Sequence, residues 1–171
     1  MDNSPIDKLY FETKSILDFL ERNNELSFKS DIDNMFKRYL LLVSGGYFEE
    51  CITNILLNLV SKNVDNKLII EFLKNKGIKR QYHTYFDWES INANQFFSLF
   101  GEEFKEKMSQ EVNNKETLKV SIKDFIQIGH ARNLLAHKNA TLVNLDKTSE
   151  ETYAQYKSAE EFISFLQEQL L

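Results

Sequence analysis

The sequence predicts an all-α fold, a bundle of five or six helices, and three observations predict it. Apolar residues recur at spacings of three and four along most of the chain, the period of a helix with one buried face. One Pro and five Gly in 171 residues are too few breakers for a protein of many short strands. Fourteen Phe and seven Tyr, within a composition that is 42% hydrophobic, supply bulky material for a core. A single domain over residues 1–171 is expected, long enough to bury that core without disulfides or metals.

The elements follow in order. Ser4 is a candidate N-cap with Pro5 at the first helical position, and Leu9, Ile16, Leu17 and Leu20 share one face of a first helix that fades near Arg22. A second, longer helix is expected over residues 30–61, with Phe36, Leu40, Val43, Phe48, Ile52, Ile55 and Leu59 at helical spacing. Gly45-Gly46 interrupts it, at a cost of about 1 kcal/mol per glycine relative to Ala. A bend or a close approach of another helix would account for them. Residues 66–76 form a short third helix ending at Gly77. Residues 78–90 are aromatic but aperiodic and are expected to be an irregular loop. A helical stretch over residues 92–111, broken or bent at Gly101, precedes a break at Asn113-Asn114. Residues 116–137 form the next helix, residues 138–146 a connection, and residues 149–171 a final amphipathic helix burying Tyr153, Tyr156, Ala159, Phe162, Ile163 and Leu166.

Charge and composition narrow the function. The net charge is −5 and the pI about 5.3, so contact with nucleic acid would need a local basic patch. Cys51 is the sole cysteine, which excludes an intrachain disulfide and reads as a buried reduced thiol. Three scattered His and one Cys have no zinc spacing, so no metal or other cofactor is expected. The polar start and the lack of a long apolar run predict a cytoplasmic protein without a membrane segment.

The segment Gly129-His130-Ala131-Arg132-Asn133-Leu134-Leu135-Ala136-His137-Lys138 stands out near the end of a helix. Its Arg-Asn-Leu-Leu-Ala-His core resembles the signature of the HEPN superfamily, an Arg followed after four to six residues by His. Upstream, Leu41-Leu42-Val43-Ser44-Gly45-Gly46-Tyr47-Phe48-Glu49-Glu50 is similar to the second helix of the RiboL-PSP-type HEPN branch. The resemblance covers most of the chain in helix order. It implies a helical bundle, a homodimer joined through the motif-bearing helices, and a metal-independent endoribonuclease. It also implies a setting in toxin–antitoxin systems or antiviral defence, with an antitoxin or defence-system partner protein.

The residue types suit that chemistry. RNA cleavage by 2′-hydroxyl attack needs a base for the hydroxyl proton and an acid for the 5′-oxygen, and imidazole can serve as either near neutral pH. It leaves a 2′,3′-cyclic phosphate and a 5′-hydroxyl. A guanidinium offers planar, bidentate donors to the charged phosphate. His137 is thus the expected acid–base group and Arg132 the phosphate clamp. Residues five apart on a helix point about 140° apart, so Arg132 and His137 do not share a face, whereas Asn133 and His137 do. A cleft shared between two copies would unite them. Asn133 is expected to orient His137 or touch a phosphate, and Glu49 to orient Arg132 or His137.

His130, seven residues before His137, and Lys138 are candidate substrate contacts. So is the basic segment holding Lys62, Lys67, Lys74, Lys76, Lys79 and Arg80 against Asp65 and Glu71, a local excess of four positive charges. Lys79 and Arg80 lead into Tyr82, His83, Tyr85, Phe86 and Trp88, whose rings are candidates to stack unpaired bases, or else to plug the core. The rival functional reading is a non-catalytic HEPN module that holds a nucleotide, RNA or a partner protein without cutting.

Overall fold

The computed structural model describes residues 4–137, 143 and 145–171. Among these the chain forms eight α-helices and no strand: α1 (Pro5–Arg22), α2 (Leu26–Asn63), α3 (Lys67–Leu73), α4 (Tyr82–Tyr85), α5 (Asn94–Ser98), α6 (Glu102–Asn113), α7 (Glu116–His137) and α8 (Ser149–Leu170). Five are long. The three short ones, α3 to α5, lie between α2 and α6.

Caps fix where α1 and α8 start. The Ser4 hydroxyl accepts from the Asp7 amide, and the Asp7 carboxylate accepts from the Ser4 amide, each at 3.1 Å. Thr148 and Glu151 form the same reciprocal pair ahead of α8. Pro5 occupies the first turn of α1, where its missing N–H costs nothing.

α2 is the spine. It packs against α1, α7 and α8, and α7 and α8 share the most extensive helix interface. Leu40, Phe48, Ile52 and Ile55 of α2 meet Ile122, Phe125 and Ile128 of α7 and Tyr156, Phe162 and Leu166 of α8, all at most 2% exposed. The Phe125 and Phe162 rings lie 5.0 Å apart at 70°, an edge-to-face contact. By length and composition α2 could cross a membrane, but 44% of that window is buried inside the protein, as befits a core helix.

Two expectations change in detail. α2 runs beyond residues 30–61 at both ends. The third helix stops at Leu73, and the backbone continues through a π-helical turn, Lys74–Ile78. Of the break or bend expected at Gly101, the break is realised: the stretch over residues 92–111 divides into α5 and α6, because Gly101 adopts φ +97°, which a helix cannot continue.

Residues 78–90 are irregular apart from one helical turn, and of the two readings of their aromatics the core-plugging one holds for three of them. Tyr82, Tyr85 and Phe86 are 5%, 6% and 2% exposed. Phe86 stacks on Phe96 at 4.8 Å and meets the edge of Phe125 at 4.9 Å. The Tyr85 hydroxyl donates to the Gly77 carbonyl at 2.6 Å. Burying rings of this size outweighs the lack of regular periodicity, so the segment plugs the bundle and offers these three rings to no base.

Candidate active site

The site forms where α7 crosses α2. Arg132 sits five residues before the end of α7, with its side chain laid across Gly45 of α2. A Cβ on Gly45 would sit 2.7 Å from Cγ and 2.8 Å from Cβ of Arg132, closer than carbon atoms can approach. Of the two readings of the glycine pair, close helix approach is the one realised, and Gly45 alone carries it. A Cβ on Gly46 would meet nothing within 4 Å.

One helical turn beyond Gly45, Glu49 receives the guanidinium. Nη2 of Arg132 donates to Oε2 of Glu49 at 2.7 Å, with the side chains 28% and 37% exposed. Nη1 donates to Oδ1 of Asn133 at 3.1 Å. Glu49 therefore orients Arg132, one of the two roles expected of it. Glu50 next to it is exposed.

Asn133 also faces the other side of α7. There it lines an open groove of about 530 Å³ with His130, Leu134 and His137, closed opposite by Phe86, Asp87, Trp88, Glu89 and Gln95. His137 is exposed at the helix end and His130 is half-buried. Within one chain, then, His130, Asn133 and His137 share a groove, and Arg132 is turned toward α2. The Arg132–Asn133 hydrogen bond connects the two sides.

Gly129 was given no role of its own in the sequence, and Trp88 stood there only among the rings that either stack a base or plug the core. A Cβ on Gly129 would sit 1.9 Å from the Trp88 ring, so the indole packs directly on the α7 backbone. Its Nε1 donates to the His83 carbonyl at 3.0 Å. The small-residue spacing Gly45 and Gly129, one on each helix that meets the motif, is the signal that could have found them.

Tyr82 lies within electrostatic reach of the pair. Burial first, and then the Glu49 carboxylate, push its phenol far above its ordinary value, against the opposing effect of Arg132. It stays a neutral hydroxyl. Cys51 is half-buried, and burial raises its thiol above the ordinary value, against a hydrogen bond with Tyr47 that lowers it. Such a thiol is a poor nucleophile. Among the described residues no three of His, Cys, Asp and Glu gather as metal ligands would.

The remaining sequence candidates are elsewhere. Lys79 and Arg80 are exposed just after the π-helical turn, Arg80 with φ +62°, and neither lines the groove. Lys138 lies outside the described residues.

The family model described as RiboL-PSP-HEPN matches residues 7–171. The chain belongs to the RiboL-PSP-HEPN family. Neither curated proteins nor solved structures gave a match. In this HEPN domain the Arg-Asn-Leu-Leu-Ala-His motif closes α7, and Gly45 and Glu49 of α2 form the seat of its arginine.

Proposed function

We propose that this HEPN domain is a metal-independent endoribonuclease whose active cleft forms between two copies of α7. The observation that carries this reading is the connected set Glu49, Arg132 and Asn133, with Asn133 opening into the groove that holds His137. Glu49 fixes the guanidinium plane and leaves its other donors for phosphate oxygens. His137 is exposed at the tip of the helix, where an RNA strand or a second copy can reach it.

In one chain the guanidinium and the imidazole look to different sides of α7, so neither alone brackets a phosphodiester. A two-fold pairing of the motif helices puts two guanidiniums and two imidazoles in one cleft. One imidazole then takes the 2′-hydroxyl proton as that oxygen attacks phosphorus. The other gives a proton to the departing 5′-oxygen, and the guanidiniums hold the charge on the phosphorane. The products are a 2′,3′-cyclic phosphate and a 5′-hydroxyl. Residence in the cytoplasm, and control by an antitoxin or a defence-system partner, belong to the same proposal.

A second reading has its own support. Arg132 is already matched by Glu49, and Asp87 and Glu89 add carboxylates to the groove beside His137. Those features suit a non-catalytic module that binds a nucleotide, RNA or a partner. Incubation of the purified protein with RNA in EDTA separates the two. The nuclease yields cyclic-phosphate ends, and both Arg132→Ala and His137→Ala abolish them. A binding module cuts nothing, yet a bound nucleotide raises its melting temperature.

A further inference from the structure

Beside the groove of His137 lies a second cavity, of about 620 Å³, lined by none of Gly45, Glu49 and Arg132. Trp88, Glu89, His130 and Leu134 line both hollows, so the two share one wall. Leu134 and His130 precede His137 by three and seven residues, about 5 Å and 10 Å along the axis at ~1.5 Å per residue. A strand that follows α7 back from His137 therefore reaches the cavity within two turns.

The cavity is mostly apolar. Ile126, Ala131 and Leu134 of α7 and Leu41 of α2 form its inner walls. Val143 and Leu145 form an outer wall that is tied to α2. Nζ of Lys37 donates to the Leu145 carbonyl at 2.9 Å, and Nη1 of Arg38 to the Val143 carbonyl at 2.7 Å. One edge is polar, made by Gln127 of α7 and Gln155 of α8. Nε2 of Gln155 donates to Oε1 of Gln127 at 2.8 Å. That bond leaves the amide hydrogens of Gln127 as donors and Oε1 of Gln155 as an acceptor. The charged lining is Glu89, Asp146 and Lys147, two carboxylates against one cation, which does not favour a phosphate.

We propose that this cavity holds an unpaired nucleobase of the RNA strand whose phosphate lies in the groove of His137. A base is a flat ring with apolar faces and a hydrogen-bonding edge. The cavity matches it with apolar walls and a neighbouring amide donor and acceptor. Its volume lies within the roughly 300–1,000 Å³ of small-molecule sites. The sugar–phosphate stays outside, where His137 and the guanidinium are. Because amide donors and acceptors distinguish one base edge from another, the cavity selects the nucleotide next to the bound phosphate. The proposal rests on the reading that RNA lies along the groove of His137, whether or not the protein cuts it.

Trp88 is the sole tryptophan and lines the cavity, so its fluorescence reports occupancy. The probe is a short 2′-O-methyl oligonucleotide, which 2′-hydroxyl attack cannot cut. It should quench Trp88, and one abasic position in the strand should weaken binding by about tenfold or more, the scale of one base contact. Ala131→Leu fills the cavity and should weaken the intact strand to a similar degree, yet hardly change binding of the abasic one. Gln127→Ala, at an exposed position, should act in the same direction and serves if Ala131→Leu fails to fold. Adenosine or cytidine monophosphate should compete with the strand, and ribose 5-phosphate should not. Variants that weaken the intact and abasic strands equally, or neither, would overturn the cavity and leave RNA in the groove. So would competition by ribose 5-phosphate as strong as by the nucleotides. Mononucleotides that quench Trp88 while no oligonucleotide does would overturn the placement on an RNA strand. A protein that binds strands in this base-dependent way but cuts no RNA supports the cavity and counts against the nuclease alone.

Discussion

Arg132 reaches Glu49 at 2.7 Å only because the residue one turn earlier on α2 is Gly45, over which the arginine stem lies. The two positions form one seat: the glycine admits the chain of the arginine and the carboxylate fixes its head. Substitutions on the two sides of the seat should therefore fail in different ways.

Gly45→Ala forces the Arg132 stem off α2 while leaving every charged group in place. The expected result is a loss of RNA cleavage of about 10- to 100-fold, the scale that a misplacement of about 1 Å can produce. Gly46→Ala is the control. With open space at that position, it should stabilise the helix by about 0.5–1 kcal/mol and leave cleavage unchanged. Chemical denaturation and a cleavage assay on the two variants check both halves.

Glu49→Gln keeps the size of the side chain and removes its charge. A neutral amide holds the guanidinium less firmly, so cleavage should fall about tenfold while the fold is retained. The pair is more than a quarter exposed on both sides, so its loss should cost at most about 1 kcal/mol of stability. A large drop in melting temperature would instead make Glu49 a structural residue.

Gly129→Ala places a methyl group inside the volume of the Trp88 ring. The indole must leave the α7 backbone, at a cost of about 1–3 kcal/mol for overpacking. Because Trp88 lines the groove with His130 and His137, cleavage should fall with stability. Restoring space with Trp88→Ala in the same chain should recover part of the lost stability, and a thermal melt of the double variant reads this out.

Acid sensitivity should trace to the junction of α1 and α8. Burial opposes ionisation of Asp7, but hydrogen bonds from Tyr153, the Ser4 backbone and Lys157 outweigh it and hold the carboxyl below its ordinary 3.8. A folded-state value below the unfolded one gives stability that is present above about pH 4 and is lost as pH falls through the folded value. The melting temperatures of the wild type and of Asp7→Asn should therefore differ at neutral pH and converge below about pH 4. Lys157 shifts the other way, since its contacts with Glu160 and Asp7 outweigh burial. Its contribution is present below its ordinary value of 10.5 and lost as pH rises above it.

Much of the fold was legible because its signals are local. The Ser4-Pro5 start, the apolar spacing of α2, α7 and α8, and the break at Asn113-Asn114 all act within a few residues. Residues 78–90 were not legible, since what orders them is contact with α5 and α7, distant in sequence. The same division holds at the site. The helical period already placed Asn133 with His137 and set Arg132 apart from His137. Glu49 emerged through family resemblance. The fit of Gly45 against Arg132 and of Gly129 against Trp88 is a matter of distances between helices, which no spacing along one helix encodes.

The shared cleft is tested most directly by mixing two inactive variants. Arg132→Ala and His137→Ala should each fail to cut RNA in EDTA. Heterodimers of the two retain one guanidinium and one imidazole on opposite sides of the cleft; with water standing in for the second imidazole, the mixture should regain cleavage with cyclic-phosphate ends at about 1% of the wild-type rate or less, still above either variant alone. A mixture as inactive as its components, with heterodimers demonstrably formed and the wild type active, would contradict a site built from two copies of α7.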